Sequence, residues 1–73
     1  MKFEINDKVI YTGSINALRN WFNEKNSLRV IGIIKDGEKI DKYERNISGQ
    51  TIYRVTNEHT SYIFLENELT KIS

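Results

Sequence analysis

The chain has no cysteine and no proline, one histidine, one methionine, one tryptophan and four glycines in 73 residues. The missing cysteines leave no disulfide to staple a domain of this size, which points to a reducing compartment such as the cytoplasm. With one histidine and no thiol, no zinc site is expected, and none of the scattered glycines forms a phosphate-cradling pattern. No apolar run approaches the roughly 18 to 20 residues that a membrane-spanning helix requires; stretches such as Ile31 to Ile34 and Tyr62 to Leu65 fall far short. The opening residues, Met1 to Asp7, carry charges where a secretion signal needs an apolar stretch, so none is expected. Asn46-Ile47-Ser48 fits a glycosylation acceptor but reads as a turn.

What is present fits one domain spanning residues 1–73. A chain this short buries about 60% of the surface exposed when unfolded, and its stability is expected at about 4 to 11 kcal/mol. Eleven basic and ten acidic side chains give a net charge of +1, far from the balance of a dedicated nucleic-acid binder. The charge is uneven: residues 1–18 are neutral, residues 19–54 carry +3, and residues 55–73 carry −2.

The periodicity is mostly that of strands. Lys8 to Thr12 is β-branched and aromatic between turn formers. Ile15, Leu18 and Phe22 then follow a helical spacing, which predicts one amphipathic helix over about residues 15–25, capped by Ser14 or Asn16 and ended by Asn26-Ser27. Leu28 to Lys35 is apolar on both alternating faces, so the helical stripe is expected to cover the face that does not line the core. Gly32 within it predicts a bulge. Asp36-Gly37 predicts a tight hairpin, with a charged return strand from Glu38 to Tyr43. Beyond a Ser48-Gly49 turn lie strands at Gln50 to Thr56 and Ser61 to Leu65, a helical turn at Glu66 to Leu69 and a last strand at Thr70 to Ile72. There is no repeat and no linker-like stretch.

Asn6-Asp7-Lys8-Val9, Val30-Ile31-Gly32-Ile33-Ile34, Ile52-Tyr53-Arg54-Val55 and the closing run from Tyr62 to Ile72 together resemble the small SH3-like barrels, a group that includes KOW-like and Tudor-like modules and many bacterial and prophage proteins. The resemblance implies a mostly β fold: five to six short antiparallel strands, with the helix inserted where such barrels have a loop. Richness in Lys, Asn and Ile resembles the product of an AT-rich genome, such as that of a low-GC Gram-positive bacterium or its phage.

Catalysis finds little support. There is no thiol nucleophile, His59 falls in a turn without a carboxylate at a telling spacing, and Glu66 and Glu68 read as solvated or lysine-paired acids. The expectation is a non-enzymatic binding module without cofactor or metal. Trp21 either completes the helix packing or presents part of its ring as an interface anchor. Tyr53 and Tyr62 either pack in the core or form an aromatic binding surface, and Tyr43, Arg45 and Arg54 are contact candidates. The first reading is therefore a protein-docking module, acting on a host protein if phage encoded. The alternative is a nucleic-acid binder using Lys35, Lys39, Lys42, Arg45 and Arg54, with tyrosines stacking on bases. Self-association through an uncovered strand edge is a third reading.

Overall fold

The computed structural model describes residues 2–72. Its strands are β1 (Lys8–Tyr11), β2 (Leu28–Ile34), β3 (Ile52–Thr56), β4 (Ser61–Leu65) and β5 (Leu69–Lys71), with one helix, α1 (Asn16–Trp21), and single 3₁₀ turns at Glu24–Asn26 and Glu66–Glu68. The strands form one antiparallel sheet in the order β4-β3-β2-β1-β5. In a flat sheet the two edges would lie four spacings apart, roughly 19 Å. Yet β4 and β5 are joined only by the turn Glu66–Glu68, and four residue steps of 3₁₀ helix advance about 8 Å. The sheet must therefore curl until its edges approach. It is not closed, since β4 and β5 remain the two ends of the order.

The alternation predicted for the later strands holds. Tyr53 and Val55 of β3 pair with Phe64 and Tyr62 of β4 and turn inward, while Ile52 and Arg54 pair with Leu65 and Ile63 and turn outward. Val30 faces Val55, and the register shifts between Val30 and Gly32, so the expected bulge is present. A Cβ on Gly32 would come within 3.2 Å of Arg54 Cβ, a close approach that a side chain there would have to push apart. Phe3, Val9, Tyr11, Phe22, Leu28, Val30, Tyr53, Val55 and Leu69 make the core, with Leu18, Ile33, Tyr62 and Phe64 packed against it. Such interiors are close-packed, and ring pairs carry much of this one: Phe3 meets Tyr53 edge-on at 5.0 Å and Phe22 meets Tyr62 at 5.0 Å.

The helix differs from expectation in length, capping and placement. It has six residues, Ile15 stands at its N-cap without a side-chain cap, and the Ile15 amide donates instead to Tyr11 Oη at 3.3 Å. Asn23 ends it: its Oδ1 accepts from the amides of Lys25 and Asn26, which draws the chain into the separate 3₁₀ turn. Fewer than two turns of helix cannot blanket a strand. Leu18 and Phe22 join the inner core, and the outer face of β2 is left without the cover expected of α1, so Ile31 and Ile63 are exposed.

The Asp36-Gly37 turn forms, with Gly37 at φ 87° and the Glu38 amide donating to the Lys35 carbonyl. The return strand does not pair with β2, however. Lys39 bridges to Arg45 and the Ile40 amide donates to the Glu44 carbonyl, so residues 38–46 fold back on themselves and β2 takes β3 as its partner. Asn46, a buried polar side chain, ties the two ends of the connector together. Its Nδ2 donates to the carbonyls of Ile34 (3.0 Å) and Gln50 (2.8 Å), and its Oδ1 accepts from the Ser48 amide and hydroxyl. The outward-facing Ile34 and Ile52 are buried as well.

Candidate functional site

Trp21 ends α1 and is 63% exposed, whereas the adjoining Phe22 is buried. Phe22 packs on Tyr62, which continues through Phe64 to Tyr11. The helix is thereby held beside the edge strand β4, and an open apolar groove of about 410 Å³ runs between them, lined by Leu18, Trp21, Phe22, Tyr62, Ile63 and Phe64. A second, polar hollow of about 350 Å³ adjoins it across Trp21 and Phe22; its other lining residues are Lys25, Asn26, Ser27, Asn57 and His59. Of the six partner-binding candidates, the fold brings Trp21 and Tyr62 together here. Both inner-face and outer-face residues of β4 line the groove because β4 is an edge strand and is open along one side.

Tyr53 belongs elsewhere. It shares the inner face with Tyr62, but it is fully buried, so it offers a partner no surface. Its hydroxyl donates to Glu66 Oε2 at 2.8 Å and accepts from the amides of Lys2 and Phe3, tying the N-terminal segment to the turn between β4 and β5. Burial first, and the hydrogen bond to Glu66 second, push this phenol above its ordinary pKa. Arg54 is on the opposite face and reaches the Ile40 carbonyl at 3.3 Å, so it braces the connector and does not join Tyr53 in one site.

Tyr43 is 84% exposed at the tip of the connector, where Lys39, Lys42, Tyr43 and Arg45 share a small hollow with Asp41 and Glu44. Lys42 Nζ lies 5.2 Å from the Tyr43 ring centroid. Three of the five basic candidates, Lys39, Lys42 and Arg45, meet there, and so do the acids. Residues 35–45 hold four basic and four acidic side chains, a net charge of zero. Asp41 is locked in place by accepting from the amides of Tyr43 and Glu44, bonds that lower its pKa and keep it charged. Lys35 is exposed at the start of the connector and does not line that hollow.

The acids singled out in the sequence are structural. Glu66 accepts from Tyr53, and Glu68 Oε1 accepts from the Leu65 amide at 2.8 Å. His59 is exposed in the turn between β3 and β4. A stronger pair was not foreseen: Arg29 donates twice to Glu58 and once to Asn6, the two non-glycine residues at positive φ, and the Arg29–Glu58 bonds hold the carboxyl of Glu58 below its usual range. Among the described residues no cluster of three metal-ligating side chains occurs, and no helix is long and apolar enough to cross a membrane. Leu18, Phe22, Ile63 and Phe64 were missed as groove residues. Ile63 and Phe64 were missed because the sequence does not say which strand is an edge.

No family model, no curated protein and no solved structure matches the chain.

Proposed function

We propose that this chain is a small, non-enzymatic protein-binding module folded as an SH3-like barrel, docking its partner in the groove between α1 and β4. The barrel reading is supported by the curled five-strand sheet and by the strand, single turn and last strand that end the chain. One observation carries the function: a tryptophan left 63% exposed on an apolar groove beside Tyr62. Large apolar side chains clustered on a rim of this kind mark interaction sites, and tryptophan is among the commonest hot-spot residues. The nucleic-acid alternative draws less support, because the acids interleaved through residues 35–45 cancel the basic charge that phosphate binding would need.

The test is capture from lysate of a low-GC Gram-positive bacterium, with and without nuclease, using the wild-type chain and Trp21→Ala. A protein retained through nuclease treatment and lost with Trp21→Ala is the expected result. Retention that disappears with nuclease, or that ignores Trp21→Ala, overturns it.

A further inference from the structure

The two edges of the sheet are treated differently. β5 is three residues long; the amides of Thr12 and Ile72 bracket Ile10–Thr70 as its bonded pair, which leaves the backbone amides and carbonyls of Leu69 and Lys71 pointing away from β1. The Leu69 amide is already spent on the Glu66 carbonyl, and the remaining position is a lysine. That edge is blunted in the usual way, by shortness and charge. β4, Ser61-Tyr62-Ile63-Phe64-Leu65, has neither protection: five residues, no charge, no proline and no bulge against β3.

Its hydrogen-bonding pattern shows which groups are open. The Glu66 amide donates to the Thr51 carbonyl and the Asn57 amide to the Thr60 carbonyl, so 51/66 and 57/60 are bonded pairs. Bonded pairs alternate along an antiparallel ladder. Tyr53–Phe64 and Val55–Tyr62 are then bonded as well, and Ser61, Ile63 and Leu65 aim their amides and carbonyls away from the sheet. The Leu65 amide is taken by Glu68 Oε1. Ser61 and Ile63 present the free edge, and Ile63 also lines the apolar groove.

We infer that this edge accepts an extended segment of another protein as a sixth strand, antiparallel to β4, with two apolar side chains in the groove and an acidic side chain at its C-terminal end. The inference rests on the groove reading and adds the mode and chemistry of binding. A residue bonded to Ile63 sends its two neighbours to positions opposite Tyr62 and Phe64, where they meet Leu18, Trp21 and Phe22. Two residues beyond the one opposite Tyr62, the same face passes the 57–60 turn and the polar hollow lined by Lys25 and His59, which contains no carboxylate. Charge complementarity there calls for Asp or Glu. A second copy fits less well. Two β4 strands related by a dyad at Ile63 would set Ser61 against Leu65, whose amide is already bonded within its own chain, whereas a peptide has a free backbone throughout.

The probe is an acetylated, amidated peptide, Thr-Val-Thr-Val-Thr-Asp-Thr, in which the two valines and the aspartate share one face. Two controls accompany it: lysine in place of aspartate, and N-methylation of the threonine between the valines. Binding is followed by Trp21 fluorescence and by amide hydrogen exchange. The expected result is slowed exchange at Ser61 and Ile63 with a shift in Trp21 emission. Affinity should fall about tenfold with N-methylation, which removes a backbone hydrogen bond and adds a clashing methyl, and should also fall with lysine. A Trp21 shift without slowing at Ile63, equal affinity for the lysine peptide, or no binding at about 1 mM overturns the inference. Slowing at Ile63 that depends on protein concentration without peptide assigns the edge to a second copy and overturns it too. If these fail while capture of a protein still depends on Trp21, groove docking stands and strand addition falls.

Discussion

Asn46 makes a demanding test of how the connector is held. Its side chain is almost fully buried and fills four hydrogen bonds, two donated to carbonyls and two accepted from Ser48. A net bond is worth about 0.5 to 1.5 kcal/mol, and a buried group left without a partner costs about 1 to 3 kcal/mol. Asn46→Ala removes all four at once. Part of the loss is recovered, because the Ser48 hydroxyl already reaches the Gln50 carbonyl at 3.0 Å and can keep that bond. The balance is a destabilisation of about 2 to 4 kcal/mol, a large share of the roughly 4 to 11 kcal/mol expected for this length, or about 10 to 25 °C in Tm.

Asn46→Asp separates packing from hydrogen bonding, since the shape is kept while an acceptor replaces the donor opposite two carbonyls. At pH 7 it should cost at least as much as alanine. The carboxyl then titrates higher in the folded chain than in the unfolded one, so the folded state binds the extra proton and the variant regains stability as pH falls toward the unfolded value of about 3.9. Urea unfolding at pH 7 and pH 4.5, comparing midpoints at constant slope, reads both effects. A loss below about 1 kcal/mol for Asn46→Ala, or an Asn46→Asp variant as stable as wild type at pH 7, refutes the account of the connector.

Tyr53→Phe leaves the amides of Lys2 and Phe3 without their acceptor and should cost about 1 to 3 kcal/mol in chemical denaturation. Because the Tyr53 phenol is raised in the fold, its contribution is full below the unfolded pKa of about 10 and is lost as pH rises through the folded value; the variant should flatten this alkaline limb of the stability curve. Gly13→Ala would place a Cβ 2.5 Å from Tyr11 Cζ, in a ring that is itself buried, and a cost of about 1 to 3 kcal/mol is expected by thermal unfolding. Trp21→Ala should leave the chain folded with a change within about 1 kcal/mol, whereas the neighbouring Phe22→Ala should lose about 3 to 5 kcal/mol; similar losses for the two would contradict the division between groove and core.

The candidate site was only partly legible in the sequence. Trp21 stood out as the lone tryptophan on the flank of a helical stripe, and its exposure follows from where the stripe ends. Tyr53 looked equivalent to Tyr62, because both are strand tyrosines turned to the same face. They differ only through neighbours: Tyr53 lies on a strand paired on both sides and under the N-terminal segment, Tyr62 on an edge. The connector misled for a related reason. Asp36-Gly37 is a local turn signal and the turn forms, but a turn does not choose the strand that pairs next.

By itself the sequence determined what short-range physics controls. Alternation set the inward and outward faces of β3 and β4, Gly32 marked the bulge, and Gly37 and Gly49, at φ 87° and 81°, marked turns that need a left-handed backbone. Tertiary structure decided what depends on residues far apart in the chain: that β2 pairs with β3 across the connector held by Asn46, that Leu18 of α1 and the Phe22 that follows it turn inward instead of over β2, and that β4 is left as an uncharged edge beside Trp21. Those outcomes rest on which surfaces close-pack once the chain has curled, and packing partners are not a property of any local stretch.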